Sequence, residues 1–113
     1  MFVALSVLLA AACLVPAIAK LRSDPKMLAS ASHFGIPWAR YRLIGVAELA
    51  AAAGVLIGLA WAAIGLAAAS GMALLLVGAL VIHRRAGDGL KDTAPAVVAL
   101  ALTIAYLAVA LTR

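Results

Sequence analysis

Hydrophobic residues fill four long segments of this chain, and the short stretches between them carry most of its charges. The segments are roughly residues 2–19, 43–59, 62–82 and 96–111. Each is close to the roughly 17–25 residues that a membrane-spanning helix requires. The pattern therefore predicts an all-α fold in which residues 1–113 form one domain, a four-helix transmembrane bundle.

The two central segments are predicted to form a helical hairpin. Between Arg42 and His83 the sequence has a single charged residue, Glu48. A continuous helix over that stretch would be about 60 Å long, whereas a hydrocarbon core is only about 30 Å thick. A turn at residues 58–61, where a glycine precedes an interfacial tryptophan, divides the stretch into two spans.

The loop after the first segment is expected to contain a short helix on the membrane surface. Asp24 and Pro25 have the order of a helix cap followed by a proline at the first helical position. Leu28, Ala31 and Phe34 then form an apolar stripe. The Gly-Ile-Pro sequence that follows should end this helix and start the next.

The composition excludes a soluble globular protein. Hydrophobic residues make up 68% of the chain and charged residues 12%, and the mean hydropathy is +1.22. The net charge of +5 does not indicate nucleic-acid binding, because the basic residues flank apolar segments instead of forming a basic face with aromatic residues. The first segment is expected to be retained and not cleaved as a signal peptide, since no basic residue precedes its apolar run.

The distribution of positive charges predicts the orientation in the membrane. Eight of the nine Lys and Arg residues lie between segments one and two or between segments three and four. By the positive-inside rule, both of these loops face the cytoplasm and both termini face outside. The loop residues are Lys20, Arg22, Lys26, Arg40, Arg42, Arg84, Arg85 and Lys91, and the residue on the opposite side is Arg113.

Three titratable residues are predicted at the cytoplasmic side of the bundle. Lys20 ends the first span, Glu48 lies inside the second and His83 ends the third. A charged side chain within a membrane costs roughly 2.5–3.5 kcal/mol, so Glu48 is expected to be paired or functional. Two interpretations stay open. Glu48, His83 and Lys20 form a proton-handling, catalytic or ligand-binding cluster, or Glu48 pairs with Lys20 and only fixes the helix register.

Tyr41, Gly45 and Glu48 share one face of the second span and are candidate ligand-binding residues. No metal or cofactor is predicted, because His33 and His83 lack the spacing of metal ligands and Cys13 is the only cysteine. His33 is assigned no role. A quinone or a lipid is the kind of ligand that this apolar setting would suit.

Small residues four positions apart are predicted to mediate helix packing, since such pairs let two helices approach closely. The pairs are Gly54 with Gly58 on the second span, and Ala67 with Gly71 on the third.

Several of these elements together resemble the DoxX-like family of small four-helix bacterial membrane proteins. They are Lys20, the Gly-Ile-Pro loop, the sequence RLIGVAEL that starts at Arg42, and the Gly-Ala pair ahead of His83. The resemblance covers essentially the whole chain and implies a four-helix fold in the bacterial inner membrane. Members of that family are similar to a subunit of a thiosulfate:quinone oxidoreductase, and others are linked to oxidative-stress complexes.

Three classes of function follow. The first is an accessory or assembly subunit of a membrane complex, which packs against a larger partner or a second copy. The second is an oxidoreductase component or enzyme that acts on a quinone or another small lipophilic molecule at Lys20, Glu48 and His83. A small proton-coupled transporter is less favoured, because the glutamate is in the second span and the charge asymmetry is strong. Whether the protein is an enzyme stays open.

Overall fold

The computed structural model describes residues 2–112 and contains five α-helices and no strand in that range. The helices are α1 (Phe2–Leu21), α2 (Pro25–Phe34), α3 (Trp38–Ile57), α4 (Ala62–Arg85) and α5 (Leu90–Thr112). The all-α prediction is confirmed, and the predicted turn at residues 58–61 separates α3 from α4. Arg113, which entered the charge count, lies outside the described residues.

Three of these helices, α1, α4 and α5, are long and apolar enough to cross a membrane. Helix α3 has 20 residues, but Arg40, Arg42 and Glu48 lie within it. By length and composition, three of the four predicted spans are matched by α1, α4 and α5. Helix α3, the fourth, is long enough but carries three charges. The physical reason is that α3 begins at Trp38, before the two arginines that the prediction had placed ahead of the span.

The four long helices pack in a closed ring, in which α1 and α4 each contact both α3 and α5. The interior is built largely from small residues such as Cys13 and Ala69, both fully buried. Large apolar residues point outward, with Leu43, Leu74 and Leu111 at 65%, 76% and 72% exposure. Soluble monomers rarely expose large contiguous apolar surfaces, whereas small residues between helices are typical of membrane proteins.

Helices α3 and α4 approach each other closely in the half of the bundle next to the turn that joins them. A Cβ added at Gly58 would lie 2.5 Å from Gly65 Cα and 2.8 Å from the hydroxyl oxygen of Tyr106. A Cβ added at Gly54 would lie 2.6 Å from Ala68 Cβ. These distances leave no room for a side chain, so α3 and α4 depend on glycine at both positions.

Within the single chain, Ala67 and Gly71 do not pack against another helix. Both residues are exposed, and a Cβ at Gly71 would meet no heavy atom within 4 Å. The buried face of α4 instead includes Gly65 and Ala69. Two positions along a helix correspond to a rotation of about 200°. Ala67 and Gly71 therefore lie on nearly the opposite side of α4.

The short helix α2 begins and ends as the sequence predicted. The Asp24 carboxylate accepts a hydrogen bond of 2.9 Å from the Lys26 backbone N–H, and Pro25 is the first helical residue. Gly35 ends the helix in the left-handed conformation, with φ of 69°, which costs glycine little. Helix α2 packs lightly against α1 and α3, and Ala31 is its only buried residue.

Candidate functional site

The centre of the candidate site is an ion pair between α1 and α3. The Lys20 ammonium donates a hydrogen bond of 2.7 Å to Glu48 Oε1. The two side chains are only 8% and 9% exposed. Each charge offsets the desolvation of the other, and removing one partner would leave the other buried and unpaired. The Lys20–Glu48 pairing that one of the two interpretations required is therefore present.

Gly45 allows this pair to form. A Cβ added there would lie 2.8 Å from Lys20 Cβ and 3.4 Å from Lys20 Cδ. The aliphatic part of Lys20 thus occupies the space that a side chain at position 45 would need. Because Gly45 lies about one helical turn before Glu48, the lysine passes the glycine and reaches the carboxylate.

Tyr41 encloses the ion pair on the side of the α3 N-terminus. Its side chain is buried, and the Lys20 ammonium lies 5.1 Å from the ring centroid. This distance suits a cation–π interaction. The three residues predicted as ligand-binding, Tyr41, Gly45 and Glu48, therefore all contact the same lysine side chain.

An open groove of about 1390 Å³ lies beside the ion pair, in the half of the bundle away from the close glycine contacts. Its walls come from the second half of α1, the first half of α3, the second half of α4, the start of α5 and one side of α2. Most of the lining is apolar. The polar side chains in it include Lys20, Tyr41, Glu48 and His83.

His83 lines this groove but pairs with a different carboxylate. Its Nδ1 lies 2.5 Å from Asp88 Oδ2, and His33 Nε2 lies 2.6 Å from Asp88 Oδ1. Hydrogen bonds from His33 and then from His83 hold the pKa of Asp88 below its usual range. The structure therefore divides the predicted cluster in two, an ion pair of Lys20 with Glu48 and a bridge of two histidines through Asp88.

The sequence analysis missed the part that His33 and Asp88 play. The short separation of His83 and Asp88, across the end of α4, is a signal that could have been used. His33 lies on α2, 55 residues before Asp88. No local sequence pattern connects His33 with Asp88, because the packing of α2 in the folded chain determines the distance between the two side chains.

The described residues, 2–112, contain no group of three His, Cys, Asp or Glu side chains arranged to hold a metal ion. Cys13 is a free cysteine, buried in the hydrophobic core of the bundle. A buried thiol in such surroundings behaves as a small apolar packing residue.

A model of the DoxX-like family matches residues 4–106 of the chain. The match includes α2, α3 and α4 entirely and most of α1 and α5. Comparisons with curated proteins and with solved structures found no match.

Proposed function

The chain belongs to the DoxX-like family, and from that membership we propose a multi-pass protein of the bacterial inner membrane in which all four long helices cross the bilayer. Helix α3 contacts α1 at Gly45 and α4 at Gly58, which are about 20 Å apart along its axis. It therefore lies alongside the apolar helices over most of its length. Its arginines are in its first turns, and its glutamate is neutralised by Lys20.

The proposed orientation has both basic loops in the cytoplasm and both termini outside. Lys20 is bound to Glu48 within the bundle, so it is not available to lipid headgroups. The other basic residues of the two loops still outnumber those on the opposite side, and the positive-inside rule favours the same orientation. Helix α2 would then lie at the cytoplasmic surface.

The proposed function is to bind a small lipophilic molecule in the groove, with its polar group near Lys20 and Glu48. The observation that supports it most directly is the groove itself, about 1390 Å³ and mainly apolar, with a buried ion pair in its wall. Sites for small molecules commonly have volumes of about 300–1,000 Å³ and combine apolar walls with a few polar groups. The groove has room for a ligand of that size and for an attached apolar chain.

The polar groups suit a ligand with a carbonyl or a hydroxyl group. The Lys20 ammonium has three N–H donors, and Glu48 accepts one of them. A ligand oxygen could accept another without separating the ion pair. A quinone or a lipid headgroup fits this description, and the redox associations of the family favour a quinone.

Bound lipophilic molecules can be tested by extraction and mass spectrometry of the protein purified in a mild detergent. Ala79 lines the groove, and Ala79→Phe should reduce the amount of the bound molecule because the new ring occupies its space. Ala101 is exposed on α5 and is not part of the groove lining, so Ala101→Phe is the matched control. Equal recovery of the molecule from both variants, at equal yield of folded protein, would contradict the proposal.

A second candidate function is that of an accessory or assembly subunit of a membrane complex. It is favoured by the outer face of α4, where Ala63, Ala67 and Ser70 are small and exposed. Small residues allow a helix of a partner, or of a second copy, to approach closely. Ala67→Leu should then release that partner without changing the stability of the isolated chain, as size-exclusion chromatography of native membranes solubilised in detergent would measure.

A proton-coupled transporter is less favoured, because Lys20 holds the only glutamate of the helices. A transported proton that bound to Glu48 would have to break this buried ion pair in every transport cycle.

A further inference from the structure

We propose that α2 is a lid on one side of the groove and that Asp88 holds it in place through His33. This inference rests on the groove being the binding site proposed above, and it assigns a means of regulating access to that site.

Helix α2 forms one wall of the groove. Met27, Ser30 and Phe34 on α2 line it, and the opposite wall includes His83 on α4 and Asp92 on α5. A displacement of α2 would therefore widen the groove on that side.

Helix α2 is the least firmly held helix of the bundle. It packs only lightly against α1 and α3, and one of its ten residues is buried. Tight turns precede and follow it, with Ser23 and Gly35 both in the left-handed conformation at φ of 55° and 69°. Segments with few buried contacts open at low free-energy cost.

The contact of α2 with the opposite wall is concentrated at one point. His33 bonds to Asp88 at 2.6 Å, and the Phe34 ring meets the edge of the His83 ring with centroids 5.0 Å apart. Within residues 2–112 these are the hydrogen bond and the ring contact that join α2 to α4, α5 and their connecting loop. His83 is also bonded to Asp88. The Asp88 carboxylate therefore holds both histidines through which α2 is connected to the opposite wall.

The Asp88 carboxylate is the charged group of this connection. It shares a small pocket with His33 from α2, His83 from α4 and Asp92 from the start of α5. The carboxylate accepts hydrogen bonds from both imidazoles, and hydrogen bonds to an ionised group are stronger than those between neutral groups. Loss of this charge should therefore release α2.

Hydrogen–deuterium exchange of the full chain in lipid nanodiscs tests the contact directly. Asp88→Asn should accelerate the exchange of the backbone amides of residues 26–34 by about tenfold, as expected when the charged acceptor of a hydrogen bond is replaced by a neutral one. Asp92→Asn, which changes another carboxylate in the pocket that contains Asp88, should leave their exchange unchanged.

His33→Ala provides a second variant, because it removes the α2 partner of Asp88 and leaves the His83–Asp88 bond. It should accelerate exchange in α2 as Asp88→Asn does. If both variants exchange like the wild-type protein, the proposed contact does not hold α2.

Access to the groove is tested at constant pH with a cysteine in place of Ala79, on a Cys13→Ser background. N-ethylmaleimide should modify this cysteine severalfold faster in combination with Asp88→Asn than with Asp92→Asn. Equal rates would show that α2 does not control access, and would overturn the lid. Neither measurement uses a bound lipophilic molecule, so a failure here is distinguishable from a failure of the Ala79→Phe extraction experiment.

Discussion

Gly45 on α3 lies directly against the aliphatic part of Lys20 on α1. The space at position 45 is so limited that a Cβ there would be 2.8 Å from Lys20 Cβ. That atom is next to the backbone of α1 and cannot move without moving the helix. The glycine therefore determines how closely the two helices approach, and with that whether Lys20 reaches Glu48.

Gly45→Ala should destabilise the protein by about 1–3 kcal/mol, because the added methyl group forces α1 and α3 apart. Gly78→Ala is the matched control, since position 78 is also helical and has no heavy atom within 4 Å of an added Cβ. There the higher helix propensity of alanine should leave stability unchanged or raise it by up to about 1 kcal/mol. Thermal unfolding in detergent measures both, and equal midpoints would contradict the close contact.

A double-mutant cycle of Glu48→Gln and Lys20→Met should reveal direct coupling of the ion pair. Lys20→Met alone should be the more harmful change, because it leaves a buried carboxylate without a partner. Combining it with Glu48→Gln should recover part of the loss, with a coupling of about 1 kcal/mol or more. Near-zero coupling of the unfolding free energies would mean that Glu48 has another partner.

The Glu48→Gln variant also separates the two interpretations of the glutamate. If Glu48 only fixes the helix register, the variant should keep its bound molecule, and any loss should be of stability, because Lys20 is left without a charged partner. If Glu48 orients a ligand or exchanges protons, the variant should remain folded and lose the molecule or the activity, since glutamine does not titrate.

Gly58→Leu should disrupt the close contact between α3 and α4, because the Gly65 backbone and the Tyr106 hydroxyl occupy the space that the leucine needs. Gly54→Leu should act in the same way against Ala68. Gly71→Leu, at an exposed position of α4, is the control. The fraction of monodisperse protein after heating should fall for the first two variants, and equal survival of all three would show that α3 and α4 are not closely packed in the membrane.

Cysteines introduced at Ala60 and Ser30 should be labelled from opposite sides of the membrane. The two positions lie in the α3–α4 turn and in α2, and a Cys13→Ser background removes the native thiol. A membrane-impermeant maleimide should react with position 60 in intact cells and with position 30 in inverted vesicles. Equal labelling of either site from both sides would indicate dual insertion and would favour a transporter.

The Asp88 carboxylate should make the free energy of unfolding depend on pH in the acid range. Because the pKa of Asp88 is lowered in the folded protein, its contribution is fully present above the ordinary carboxyl value of about 3.9 and is lost as the pH falls through the lowered value. Asp88→Asn should therefore lower the unfolding midpoint at about pH 7, and the difference should shrink in strong acid. A difference that stays constant down to about pH 2 would argue against the hydrogen bonds from the two histidines.

The sequence by itself determined the helices and their approximate ends. Uninterrupted apolar segments of membrane-spanning length allow little except helices in a bilayer, where every backbone polar group must be bonded internally. The caps of α2 are equally local, because Asp24, Pro25 and Gly35 act on the backbone immediately beside them. Helices α3 and α5 begin five and six residues earlier than the apolar segments that predicted them. The sequence analysis missed these first turns, because they contain polar residues and hydropathy identifies only the apolar part of a helix.

Only the tertiary structure decided which side chains meet. The depth of Lys20 and Glu48 in their spans made a pair plausible, but the same reasoning placed His83 with them and left His33 without a role. A helical pattern gives the face on which a residue lies, and not the rotation of that helix against its neighbours. The rotation of α4 turned Ala67 and Gly71 outward. The position of α2 brought His33 to Asp88, because contacts between residues 55 positions apart depend on how whole helices pack.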